Sequence, residues 1–208
     1  MTNFCLSATL NAEKKGWVIT MKKWGSFMLA VIMIFCLTAC QNSKNPASAK
    51  NLTLEKGILK VGMYMHLAPM ASVTEDTVTP VGFEVELAQA IASSLGLKIQ
   101  FVDITRDNLL PSLDADIVDC VISSVAVTEE NPDLYCVSQP YADLSLIQEQ
   151  LPETVEKGKI AIYTSSDREQ LMQYLDQTLD TLKDSGDISA LSQIYFETDI
   201  TPVSEEKE

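Results

Sequence analysis

Apolar positions along this chain follow two rhythms. Ile58-Leu59-Lys60-Val61-Gly62-Met63 is an almost unbroken apolar run and predicts a buried strand. Residues 64–81, with Pro69 and Pro80, keep neither period and predict an irregular segment. After Gly82, Phe83, Leu87, Ile91 and Leu95 recur every four residues, with Val85 and Ala88 beside them. That spacing predicts an amphipathic helix that Gly96 stops. Lys98 to Ile104 alternates like a strand, and Asn108 to Asp114 predicts a short helix with Pro111 in its first turn. Val118 to Val127 predicts a second buried strand, and Val137 to Tyr141 begins another.

The rhythm restarts at Lys159-Ile160-Ala161-Ile162-Tyr163, which predicts one more strand. Ser166 and Glu169 have capping-box spacing. A helix should follow with Leu171, Leu175, Leu179 and Leu182 inward, ended by Gly186. Asp187 should cap a last helix that turns Ile188, Leu191, Ile194 and Tyr195 inward. The order β-α-β-α-β predicts an α/β fold: a single doubly wound, mostly parallel sheet flanked by helices.

The first forty residues depart from this pattern. Met21-Lys22-Lys23 is a short basic start, Phe27 to Cys36 is uniformly apolar, and Leu37-Thr38-Ala39-Cys40 precedes a polar tract. These are the parts of an export signal, and the run is too short to span a bilayer, which takes roughly 20 residues. The ending resembles a bacterial lipoprotein signal, which implies that Cys40 is the lipidated first residue of the mature protein. Residues 1–20 fit neither signal nor domain, so the true start is expected at Met21; the alternative is a long n-region holding Lys14 and Lys15.

Composition narrows the function. The 208 residues carry a net charge of −14. Removing residues 1–40, with four Lys and one Glu, leaves 168 residues, 11 basic and 28 acidic, a net of −17. Such an acid excess excludes nucleic acid as the partner, because a phosphate backbone needs a basic face. One His and scattered Cys give no zinc-site spacing, and no cofactor or metal is expected. No nucleophile–base pair or apposed carboxylate pair stands out, so an enzyme is the lowest-ranked class.

KGILKVGM, the pair Ala68-Pro69, VGFEVELAQAIASSLGLKIQFV, NLLPSLDADIVDCVISSVAVTEE and SQPY follow one another from Lys56 to Tyr141. This series resembles the family 3 extracellular solute-binding proteins, the amino-acid receptors of ABC importers. The segment DREQLMQYLDQTLDTLKDSGDISALSQIYF is similar to that family's closing helices. The resemblance implies a periplasmic-binding-protein-like type II architecture of two lobes joined by two crossing strands. Here the crossing strands would be Leu144 to Ile147 and Ile160 to Tyr163, with only the 12 residues 148–159 between them. That is too little chain for a lobe. The expected organisation is a doubtful extension (1–20), a lipoprotein signal (21–40), a tether (41–54), lobe 1 (55–200) with loop 148–159 in place of lobe 2, and a tail (201–208).

The family grips an α-carboxylate with the Arg of a T-x-x-R loop. This chain has Thr128-Glu129-Glu130-Asn131-Pro132, so Asn131 stands at the Arg position. The short helix there should start with Asn131 as cap and Pro132 first, among the acids Glu129, Glu130 and Asp133. By the same resemblance Leu67 replaces a stacking aromatic, and Ala126 replaces a hydroxyl or donor position. Ser123 and Ser124 remain at a strand's carboxyl end, where open α/β sheets place ligands, or else they simply end a buried strand. Arg106 is either a surface residue paired with Asp103 or Asp107, or a replacement positive charge in the old cleft. His66 is expected as a polar loop residue. Cys120 and Cys136 should be buried free thiols, because in the family's strand order the returning strand separates them.

These features lead to an exported, lipid-anchored receptor at the outer face of the membrane, with an impaired amino-acid site. Its expected partners are a small polar or cationic solute, held weakly, and an ABC permease or another receptor. The alternatives are a protein-interaction module or a decaying remnant.

Overall fold

The computed structural model describes residues 49–74, 77–128 and 131–202, all within one compact unit, Asn45–Glu208. Its centre is a five-stranded sheet. β1 (Ile58–Met63) lies between β5 (Lys98–Asp103) and β6 (Cys120–Val121), parallel to both. β10 (Tyr163–Ser165) runs antiparallel to β6 and to β7 (Tyr135–Val137), which forms the far edge. The order is β5-β1-β6-β10-β7, so one strand opposes the direction of the other four. The mostly parallel α/β expectation holds.

Alternate strand residues point to opposite faces. Leu59, Val61, Met63, Cys120 and Ile162 join one core with α1 (Phe83–Ser94), α4 (Glu169–Asp184) and α5 (Asp187–Phe196). Val121, Ala161 and Tyr163 join a smaller one with Leu109 and with Leu113 of α2 (Pro111–Asp114). Helices therefore cover both faces. In α4 all four predicted leucines, Leu171, Leu175, Leu179 and Leu182, are buried. Each buried leucine contributes about 1.5–3 kcal/mol.

Several elements differ from the sequence expectation, each for a local reason. Residues 64–74 and 77–81 are not simply irregular. β2 (His66–Leu67), β3 (Ala71–Thr74) and β4 (Thr77–Val81) form a small antiparallel sheet, and Pro80 is tolerated because β4 is an edge strand. The strand expected over 118–127 is reduced to β6. Beyond it Ser124 takes a positive φ of 48°, which turns the chain out of the sheet. The strand expected at Val137 begins at Tyr135, after the single helical turn α3 (Asn131–Leu134).

The capping box does not form. Ser165, not Ser166, bonds to Asp167, and α4 starts after Arg168. Gly186, at φ 79°, rather than Asp187, precedes α5, and Ile194 faces solvent at 70% exposure. Neither crossing strand is continuous. β8 (Ala142–Asp143) pairs with β9 (Lys159–Ile160), and Leu144–Gln150, expected in part as strand, is 3-10 helical with a kink at Ile147. The Asp143 carboxylate starts it by accepting from the Ser145 N–H at 3.0 Å.

Residues 49–54, expected as tether, are docked. Ala49 is buried, and the Leu54 N–H donates to the Asp119 carboxylate. Asp119 also accepts from the Lys60 N–H and stands 3.8 Å from Arg168, so a buried charge draws this segment onto the sheet. The signal, Cys40 and the acids Glu129 and Glu130 lie outside the described residues.

Candidate functional site

The carboxyl ends of β1 and β6 meet the amino end of α1, and the polar side chains converge there. Gly82 makes this possible. Its φ of 137° suits glycine, and a Cβ there would strike the Met70 carbonyl. The Phe83 and Glu84 N–H groups then donate to the Pro69 and Met70 carbonyls, fixing the first turn of α1. Glu84 is thereby held inside, 1% exposed.

Glu84 Oε1 accepts from the Tyr141 hydroxyl at 2.7 Å, the Ser124 hydroxyl at 2.8 Å and the Ser124 N–H. Burial pushes the Glu84 carboxyl above its ordinary value, although these donors pull it back. The same burial and the facing carboxylate push the Tyr141 phenol well up. Beside them Ser123 Oγ accepts from the Tyr64 N–H at 2.8 Å. Both serines are thus bonded into the fold: Ser124 donates twice to Glu84, and Ser123 pins the chain after β1.

Asn131 is bonded inward. Its Nδ2 donates to the Ala126 carbonyl at 3.1 Å and to Tyr163 Oη at 3.2 Å. The Tyr163 hydroxyl donates to the same carbonyl at 2.8 Å. The Asn131 amide therefore faces inward and closes a polar triangle. Ala126 is buried, Thr128 is exposed, and Leu67 packs in the main core. Of the sequence-derived positions, Ser124 is brought into one network with Glu84, and Asn131 with Ala126. Leu67 and Thr128 join neither.

Arg106 pairs with neither Asp103 nor Asp107. Its guanidinium lies over Tyr64, 4.9 Å from the ring centroid, and Nη1 reaches the Thr154 carbonyl at 3.3 Å. Asp103 instead accepts from the Met65 N–H and faces His66 Nε2 at 3.3 Å. His66 lies in a strand, not a loop. Among the described residues no cluster of His, Cys, Asp and Glu is arranged to hold a metal ion, and no helix is long and apolar enough to cross a membrane. Sequence pattern alone does not mark Glu84, Tyr64, Tyr141 or Tyr163 as polar contacts of this site. A signal for Glu84 was present: it lies three and four positions before Leu87 and Ala88, so helical period puts an acid on the apolar stripe.

The family model for bacterial extracellular solute-binding proteins, family 3, matches residues 59–198. The chain belongs to that family. This family 3 chain is 30% identical over 121 residues to a probable histidine-binding protein of Campylobacter jejuni, covering 58% of this chain and 46% of the relative. It is 33% identical over 110 residues to the arginine-binding extracellular protein ArtP of Bacillus subtilis, covering 53% and 40%. The L-cystine-binding protein TcyJ of Escherichia coli is 33% identical over 119 residues, covering 56% and 44%. The chain thus spans about half or less of the length of the curated relatives it matches.

Among solved structures, the arginine-bound form of domain 1 from TmArgBP is 31% identical, with TM-score 0.52, covering 61% of this chain and 94% of that one. A point variant of the same arginine-bound domain is 29% identical, with TM-score 0.55, covering 67% and 99%. The family 3 chain is therefore related to the amino-acid-binding extracellular receptors of ABC transporters, and it resembles a single lobe of one.

Proposed function

We propose that this chain is a one-lobe, lipid-anchored, extracytoplasmic solute-binding protein that lacks its family's carboxylate grip and receives a cationic solute weakly. Asn131 carries this reading. An amide stands where the family has a guanidinium, and it is turned onto Ala126 and Tyr163. A bidentate arginine–carboxylate pair is charge-assisted, and a neutral amide already bonded inward does not replace it. The anchor is Cys40, and loop 148–159 takes the place of lobe 2. Relatives act as receptors rather than enzymes, which supports a non-enzymatic role.

The acidic composition and the arginine held by a lone domain 1 of TmArgBP both favour a cationic solute. An importer permease, or a full-length receptor of the same kind, is the protein partner. Titration calorimetry on the mature chain with arginine, lysine, putrescine, glutamine and cystine tests the solute. Heat at millimolar concentration is expected for the cations only. Glutamine or cystine binding as tightly as arginine overturns the loss of the carboxylate grip, and silence towards every solute overturns the receptor reading.

A further inference from the structure

We propose that Arg106 is a built-in occupant of a cation subsite at the end of β1, held there by the loop that follows the 3-10 helix Leu144–Gln150. The groups that touch the guanidinium are ones that recognise a cation. The Tyr64 ring presents its face at 4.9 Å, and the Thr154 carbonyl accepts from Nη1 at 3.3 Å.

Each of these groups is fixed by a second contact. The Tyr64 N–H is bonded to Ser123 Oγ, and its ring packs against His66 at 5.4 Å between centroids. The Thr154 loop is closed by the Leu144 N–H on the Gly158 carbonyl and by the Val155 N–H on the Pro152 carbonyl. Val155 is buried beneath it. Arg106 itself stands at the start of a 3-10 turn, Arg106–Asn108, where Asn108 Nδ2 bonds to Thr105 Oγ1.

A tethered guanidinium competes with a free one at the high effective concentration of an intramolecular group. The subsite therefore takes free cations only weakly in the native chain and opens fully when Arg106 is removed. This rests on the solute-binding reading only for the class of ligand. The occupancy itself is a separate matter, and the test separates the two.

Methylguanidinium chloride is titrated into the mature native chain and into R106A, with NaCl as the ionic-strength control, followed by amide NMR and calorimetry. R106A is expected to bind about tenfold more tightly than the native chain, with shifts centred on Tyr64, Ser123 and Thr154. R106K, which keeps a tethered cation, should behave like the native chain, and Y64L in the R106A background should abolish the gain. R106A binding no tighter than native, or shifts away from Tyr64, overturns the proposal. If R106A loses its native circular dichroism, R106Q replaces it under the same criteria. A native chain that ignores arginine while R106A takes methylguanidinium supports the occupancy and counts against the solute-binding reading alone.

Discussion

The Tyr141 hydroxyl donates to Glu84 Oε1 at 2.7 Å and ties the first turn of α1 to the segment entering β8. Both side chains are buried, so the carboxylate has no water to replace a lost donor. Tyr141→Phe keeps the ring and removes the donor. It should cost about 1.5–3 kcal/mol, read as a lower urea midpoint with an unchanged slope. A midpoint equal to the native one would mean that Glu84 is satisfied without Tyr141.

Glu84, Asp119 and Asp176 share a direction. Burial holds each carboxyl above its ordinary value. Each then binds a proton more readily folded than unfolded. Stability is greatest below the ordinary values, near pH 4, and falls as pH rises through the raised ones. Asp199 shifts the opposite way but is exposed, so it offsets little. The melting temperature should therefore climb as pH is lowered from 7 toward 5. Glu84→Gln should flatten part of that climb, which separates this residue from the general relief of acidic repulsion. A native melting temperature that falls over the same range contradicts the assignment.

Gly82 is a third point of leverage. A Cβ at φ 137° would meet both the Pro69 and the Met70 carbonyls. Backbone cannot move away as a flexible side chain can, so Gly82→Ala should cost about 1–3 kcal/mol and disturb Glu84. Thermal melts, with NMR shifts at Ser124 and Tyr141, measure both effects.

Arg168 holds the docked N-terminal segment. It reaches the Leu52 carbonyl at 3.2 Å and the Asp116 carboxylate at 3.1 Å, beside buried Asp119. Arg168→Ala should destabilise by about 1.5–3 kcal/mol and release the Leu54 and Lys60 amides to hydrogen exchange. Arg168→Lys should restore little, because a single ammonium does not bridge acceptors that a planar fork reaches together.

The two thiols should differ in access. Cys120 is buried and Cys136 is half-buried, with Sγ 3.5 Å from the Ser166 carbonyl. β10 lies between their strands and both are free, as expected from the strand order, but Cys136 is not buried as expected, because β7 is the edge strand of the sheet. Burial raises both thiol pKa values, which lowers the thiolate fraction at neutral pH. With Cys40→Ser, a disulfide reagent should modify Cys136 slowly and Cys120 only on unfolding. Rapid labelling of Cys120 would contradict its burial.

Periodicity alone determined the mostly parallel sheet, the long helices α1, α4 and α5, and the stop between α4 and α5. Apolar spacing is a local signal that survives without knowledge of the partner surface. The collinear motifs also determined the family. Tertiary structure decided the rest. Which way the Asn131 amide points depends on Tyr163, 32 residues away. That Glu84 is buried depends on Tyr141 and Ser124, and that residues 49–54 are docked depends on Asp119. The guanidinium of Arg106 finds Thr154 across 48 positions. Charged and polar groups choose partners by proximity in the folded chain, and that proximity does not exist until the sheet has brought the strand ends together.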